Sequence, residues 1–321
     1  MRYGLTSGIL WGLDTVILGI ALSMVPFIGT AEAVAFAAIA SSFLHDAFCA
    51  AWLFLYMAVR GRLGDTLAAL KTRSGKVVVL GALLGGPIGM TGYVVAINNI
   101  GAAYTAIISA FYPAFGAFLA FVVLKERMDA KHFAALVVAL LGVMAMGWMS
   151  ADGEAGGNAA LGLAGAAVCV VGWGSEAVLC GWGMRDDAVD NETALQIRET
   201  TSALAYAVAV LPAFGAWAFT AEAIPSLATG VVGMAGLAGA VSYLFYYKAI
   251  ATIGAARGMA LNISYSVWAV LFGALLLGAV PTVPEAVCCL VILGGTVLAA
   301  ADWGELFGRG RTDGAKAPEK R

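Results

Sequence analysis

Apolar residues run through this chain in long blocks separated by short polar breaks. A hydrocarbon core about 30 Å thick takes roughly 20 apolar residues per helix. Cut at that length, the pattern predicts ten membrane-crossing helices near 4–27, 32–59, 75–97, 100–124, 130–149, 159–184, 193–219, 226–248, 255–279 and 284–303. Asp152-Gly153-Glu154-Ala155-Gly156-Gly157-Asn158 reads as the clearest loop, and Pro225, Pro281 and Pro284 fall at helix starts or connections, where a missing N–H costs little. The expected fold class is therefore an all-α integral membrane protein.

Composition strengthens that reading. The 321 residues are 61% hydrophobic and 12% charged, against about 45–50% apolar and about 25% charged in soluble domains. A net charge of -2 excludes a strongly basic nucleic-acid binder. Cys49, Cys169, Cys180, Cys288 and Cys289 all lie in apolar runs and read as small buried hydrophobes. The first 27 residues carry Asp14 at their middle and run to span length, so they read as a retained helix rather than a secretion signal.

Charge sets the orientation, because Lys and Arg stay on the cytoplasmic side of short loops. With ten spans and the N-terminus inside, all 18 basic residues fall on that side. They are Arg2, then Arg60, Arg62, Lys71, Arg73 and Lys76, then Lys125, Arg127 and Lys131, then Arg185 and Arg198, then Lys248 and Arg257, and the tail from Arg309. Both termini are thus expected in the cytoplasm, with the protein in a bacterial-type inner membrane.

Self-comparison reveals two matching stretches. Trp11-Gly12-Leu13-Asp14-Thr15-Val16 resembles Trp173-Gly174-Ser175-Glu176-Ala177-Val178, and Ala96 to Ala103 resembles Ala249 to Ala256. In the same register Tyr93 pairs with Tyr246 and Tyr112 with Tyr265. Five spans per repeat is an odd number, so the second half enters the membrane inverted. Two halves that exchange shapes give alternating access around a midplane site. The expected division is a first five-helix repeat over 1–149, a periplasmic connection over 150–158, a second, inverted five-helix repeat over 159–303, and a basic cytoplasmic tail over 304–321.

These residues resemble the drug/metabolite transporter superfamily, in its ten-span EamA-like branch. The resemblance rests on the Trp-Gly starts, the Ile-Gly-Ala-Ala connections, Tyr112-Pro113 and Lys125-Glu126-Arg127. Ala279 stands in the place of Glu126, and Ser266 in that of Pro113, so those roles need not be symmetric. The resemblance implies a secondary carrier that exports small metabolites. In length and layout the chain is similar to the YddG-type bacterial exporters of aromatic amino acids.

Ionisable groups inside spans are expensive, about 2.5–3.5 kcal/mol for Asp at a helix centre, so each is a functional candidate. Asp14, His45, Asp46 and Glu176 qualify as proton-coupling or gating groups. Each acid can equally be a structural acid bonded across helices. His45 and Asp46 point about 100° apart on a helix, so they are not expected to face one partner together. Trp11, Tyr93, Tyr112, Trp173, Tyr246, Asn262 and Tyr265 are the candidate solute contacts, because aromatic faces suit planar apolar ligands and cations alike.

No catalytic residue, metal site or cofactor is expected. The two histidines lack the convergent partners a metal needs, and no G-x-x-x-x-G-K-[ST] stretch occurs. No Lys or Arg is expected near a span centre, which disfavours dianionic phosphates as solute. The expectation is a secondary-active exporter of amino acids, aromatic ones included, and related metabolites, with the lipid bilayer and a small-molecule solute as partners, as a monomer or weak homodimer. The alternatives are a multidrug or cation exporter, a membrane-embedded enzyme, or a channel.

Overall fold

Helix starts in this chain carry side chains that replace the missing turn. Thr30, Thr72, Asn158, Asp190 and Ser226 each accept a hydrogen bond from a backbone N–H three residues on. Thr282 and Glu285 form a reciprocal capping box. The computed structural model describes residues 1–149, 157–185, 189–301 and 303. Most of the expected connection over 150–158 and the expected tail over 304–321 therefore lie outside the described residues.

The helices are α1 (Arg2–Leu22), α2 (Ala31–Val59), a short α3 (Leu63–Ala69), α4 (Arg73–Ile100), α5 (Ala102–Leu124), α6 (Ala130–Met149) and α7 (Ala159–Gly183). They continue with α8 (Asn191–Ala205), a short α9 (Trp217–Ala223), α10 (Leu227–Ile253), α11 (Ala255–Leu277) and α12 (Val283–Ala300). Among the described residues no strand occurs. Nine of these helices are long and apolar enough to cross a membrane: α1, α2, α4 to α7 and α10 to α12.

The expected seventh span, 193–219, is not among those nine. Its first half is polar, with Gln196, Arg198, Glu199, Thr200, Thr201 and Ser202 in sequence, and the segment is divided. After α8 the backbone widens into a π-helical stretch at Tyr206–Val210, then a single turn at Leu211–Phe214, before α9. Similar wide stretches interrupt α4 at Leu84–Gly89, where Pro87 has no N–H to give, and end α5 at Ala120–Leu124.

The packing is reciprocal. Helix α1 lies against α10 and α11, while α7 lies against α4 and α5. Glycines permit both approaches. A Cβ on Gly12 would fall 2.6 Å from Trp268 Cβ and 2.8 Å from Ala269 N, so α1 and α11 touch backbone to side chain. Gly92 and Gly165 do the same for α4 and α7, each hypothetical Cβ lying 2.6 Å from the other's carbonyl oxygen. Helix α8 packs on α2, α4 and α10, closing the ring around an interior cavity. Helices α6 and α12 pack on one another away from it.

Candidate functional site

Helices α1 and α7 bring their acids to a common interior. Asp14 on α1 is 2% exposed and Glu176 on α7 is 7% exposed, and both line a cavity of about 350 Å³. Desolvated carboxylates need partners. His45 Nε2 on α2 lies 3.0 Å from Asp14 Oδ1, and its Nδ1 lies 3.6 Å from Asp46 Oδ1. The two neighbours expected to diverge are thus joined, because the imidazole reaches Asp14 with one nitrogen and Asp46 with the other. Ser202 of α8 donates to Asp46 Oδ2 at 2.5 Å.

Glu176 is held differently. Arg198 Nε on α8 donates to Glu176 Oε1 at 2.8 Å, and Tyr247 Oη donates to the same oxygen at 3.2 Å. Arg198 Nη1 also lies 2.9 Å from Glu199 Oε1 and 3.7 Å from Asp46 Oδ1. Its guanidinium sits 4.8 Å from the centre of the Tyr243 ring, a cation–π contact. This corrects the assignment of Arg198 to the cytoplasmic side with the other basic residues. Arg198 is buried and lines the cavity.

The aromatic candidates divide between two spaces. Trp11, Tyr112, Trp173, Tyr246, Asn262 and Tyr265 line the main cavity with the four charged candidates, and Tyr93 does not. Tyr93 lines a second cavity of about 70 Å³ that shares Tyr112, Trp173 and Tyr265 with the first. Its ring lies 5.3 Å from that of Trp173, which meets Tyr112 edge-on at 5.7 Å. Those rings form a thin wall between the two spaces. On the opposite side Trp11 meets Tyr243 edge-on at 4.6 Å. Ser7 Oγ donates to Asn262 Oδ1 at 3.0 Å, fixing that amide.

Sequence reasoning missed Arg198 and Tyr206, which line the cavity, and Glu199, which pairs with Arg198. The available signal was the polar run Gln196 to Ser202 inside a predicted span. Arg198 was assigned to the basic end because it lies near the start of that segment. Helix α8 instead folds inward on its buried polar face.

The cavity runs along α1 toward Leu18, Gly19 and Leu22, away from the end that carries Arg60 and Arg62. That basic end is tied shut. Arg62 donates to Asp190 at 2.6 Å, to Asp65 at 2.7 Å and also to Glu192, which accepts at 2.8 Å from both Arg60 and Tyr56. Burial pushes the Asp190 carboxyl up, but bonds from Thr193 and Arg62 outweigh it and leave it below the usual range. Its contribution therefore holds above the ordinary carboxylate pKa and is lost only as pH falls through the lowered value. Nearby, Glu126 accepts from the N–H groups of Ala255 and Ala256, both at 3.2 Å.

Arg62→Ala removes three ion pairs from this network, each worth about 0.2–1 kcal/mol when solvent-exposed. Thr193, 1% exposed beneath it, becomes reachable. In a cysteine-free background, a cysteine placed at 193 is expected to react with an impermeant maleimide about fivefold faster in the Arg62→Ala protein. An unchanged rate counts against the network as a latch.

Three comparisons bear on this architecture. Protein LicB of Haemophilus influenzae is 30% identical over 202 residues, which is 61% of this chain. The match takes in 65% of that protein's own length, just under two thirds. A crystal structure is similar over 96% of each chain, with a TM-score of 0.68 and 19% identity, a likeness of fold. The sequence pattern of the EamA-like transporter family matches residues 2–148 and 160–301. Those two stretches supply all nine membrane-length helices and every residue of the charged cavity, and the chain is a multi-pass membrane protein that belongs to the EamA-like transporter family.

Proposed function

We propose that this protein is a secondary carrier that exports small organic solutes bearing an ammonium group, amino acids first among them, across a bacterial-type inner membrane by alternating access. The observation that carries the reading is the aromatic-walled cavity with Asp14 and Glu176 at equivalent places of its two halves. An ammonium group is attracted to carboxylates and to the faces of Trp and Tyr rings, while an apolar or planar body fits between the rings. Reciprocal packing of α1 and α7 supports two inverted halves. In that arrangement the divided segment from α8 through α9 serves as the seventh of ten crossings, its polar face turned to the cavity and relieved there of contact with lipid. The basic residues gathered at the Arg60 end support placing both termini on the cytoplasmic side.

Asp14, His45 and Asp46 are the proposed proton-coupling group, since imidazole is the side chain that titrates near neutral pH and it bridges both acids here. A second reading, export of organic cations without a carboxylate, is favoured by one observation. Arg198 is already engaged by Glu176, Asp46 and Glu199, so a solute carboxylate meets no unengaged buried cation among the described residues.

Uptake of radiolabelled aromatic and aliphatic amino acids into liposomes containing the purified protein, with and without a pH gradient, is the test. Saturable uptake, competed by unlabelled amino acids and responsive to the gradient, is expected. His45→Gln is expected to abolish the response to the gradient. Competition by organic monocations but not by amino acids selects the second reading. No uptake of either class by folded protein removes both.

A further inference from the structure

The charged wall of the cavity consists of two similar triads. Asp14, His45 and Asp46 form one, and Glu176, Arg198 and Glu199 form the other. In each, an acid from the first helix of a half meets a base on a following helix, and that base is followed in sequence by a second acid. The triads differ in one chemical respect. Imidazole gains and loses its charge near neutral pH, whereas guanidinium keeps it. Four carboxylates therefore share one guanidinium, Arg198, and one imidazole, His45.

The guanidinium occupies the kind of place in which an ammonium solute would sit. It lies between the carboxylates of Glu176 and Asp46, over the face of Tyr243, and on the cavity surface. Glu199 is fully buried behind it, and neither of its oxygens accepts a hydrogen bond among the described residues, although Arg198 Nη1 lies 2.9 Å from one of them. Arg198 thus neutralises part of the carboxylate charge that a solute would otherwise meet. We propose that Arg198 is a tethered counter-cation that sets the charge of the accepted solute, admitting a single ammonium group and rejecting dications. This rests on the ammonium reading above. A neutral side chain at 198 releases Glu176 and Glu199, and the cavity then holds one more positive charge.

The test uses purified full-length protein and the fluorescence of Trp11 and Trp173, both on the cavity wall. It is titrated with n-butylammonium and with 1,4-butanediammonium, which share a carbon chain and differ by one charge. Wild type is expected to bind the monocation in preference. Arg198→Gln is expected to shift the ratio at least tenfold toward the dication, while Arg198→Lys keeps the wild-type ratio. A ratio unchanged within twofold in Arg198→Gln, or a folded Arg198→Gln protein that binds neither probe, overturns the proposal.

Should Arg198→Gln fail to fold, Glu199→Gln supplies the reciprocal test. It removes one carboxylate and keeps the guanidinium, so dication binding falls further than monocation binding, and an equal fall overturns the proposal. Wild type that binds neither probe overturns the ammonium reading itself. That outcome is distinct from saturable binding without charge discrimination, which overturns only the role of Arg198.

Discussion

Glu176→Ala is expected to reduce the initial rate of solute uptake about 100-fold and to lower the thermal midpoint of the detergent-solubilised protein. The residue carries two duties. It is the acid that α7 presents to the cavity, and it is the hydrogen-bonded partner of a buried guanidinium at 2.8 Å. Removing one member of a buried ion pair costs about 3–5 kcal/mol, because the remaining charge is left desolvated. Arg198 keeps Glu199 and Asp46 in reach, which puts the loss of stability at the lower end, about 3 kcal/mol. The fall in uptake comes from the lost contact to the solute ammonium, about 1.5–3 kcal/mol for a charge-assisted bond, with 1.4 kcal/mol a factor of ten. Tyr247 loses its carboxylate acceptor in the same change and keeps only Cys180 Sγ at 3.3 Å. Glu176→Gln retains a hydrogen-bonding group without the charge and is expected to fall between. Wild-type uptake in Glu176→Ala, with the protein folded, would remove this acid from the transport site.

Gly165→Val is expected to cost at least about 3 kcal/mol of stability, the upper range for overpacking, and to be largely lost as aggregate on size-exclusion chromatography. The added Cβ meets Gly92's carbonyl oxygen at 2.6 Å and Ala96 N at 3.1 Å, and backbone has no rotamer by which to give way. Gly92→Val meets the same obstacle from the other side. Gly230→Ala is the matched control, since nothing stands within 4 Å of its Cβ position. It is expected to behave as wild type, with a small gain in helix propensity. Equal stability of Gly165→Val and Gly230→Ala would show that the α4–α7 crossing has slack the packing does not indicate.

The sequence made some of these features legible and concealed others for identifiable reasons. Hydropathy finds α1, α2, α4 to α7 and α10 to α12, because lipid demands the same apolar length of each. It also flagged Asp14, His45, Asp46 and Glu176, since charge in an apolar run is conspicuous. Which cation serves which acid is a different matter. His45 meets Asp14 across 31 positions, and Arg198 meets Glu176 across 22, distances that no helical periodicity encodes. The polar face of α8 lowers its hydropathy, so it reads as a segment end although that face is buried against α2, α4 and α10. Tyr93 and Tyr246 match when the sequence is compared with itself, yet they line different cavities. A repeat relates positions in two halves, and one static conformation need not place both on the same side of the aromatic wall.

The Glu126 carboxylate has a kinetic consequence. It caps the first amides of α11, where a single anion satisfies two donors and complements the helix dipole. Ala279 occupies the corresponding place in the second half and offers no acceptor. Under an exchange of shapes between the halves, one end of the bundle closes on a carboxylate and the other on a methyl group. The two end states of the empty carrier then differ in free energy, so its resetting step is downhill in one direction and uphill in the other. In the proposed cycle, flux under equal solute concentrations balances all the same, but the unloaded carrier waits with its cavity turned away from the Arg60 end, and the return from that state is the slower half.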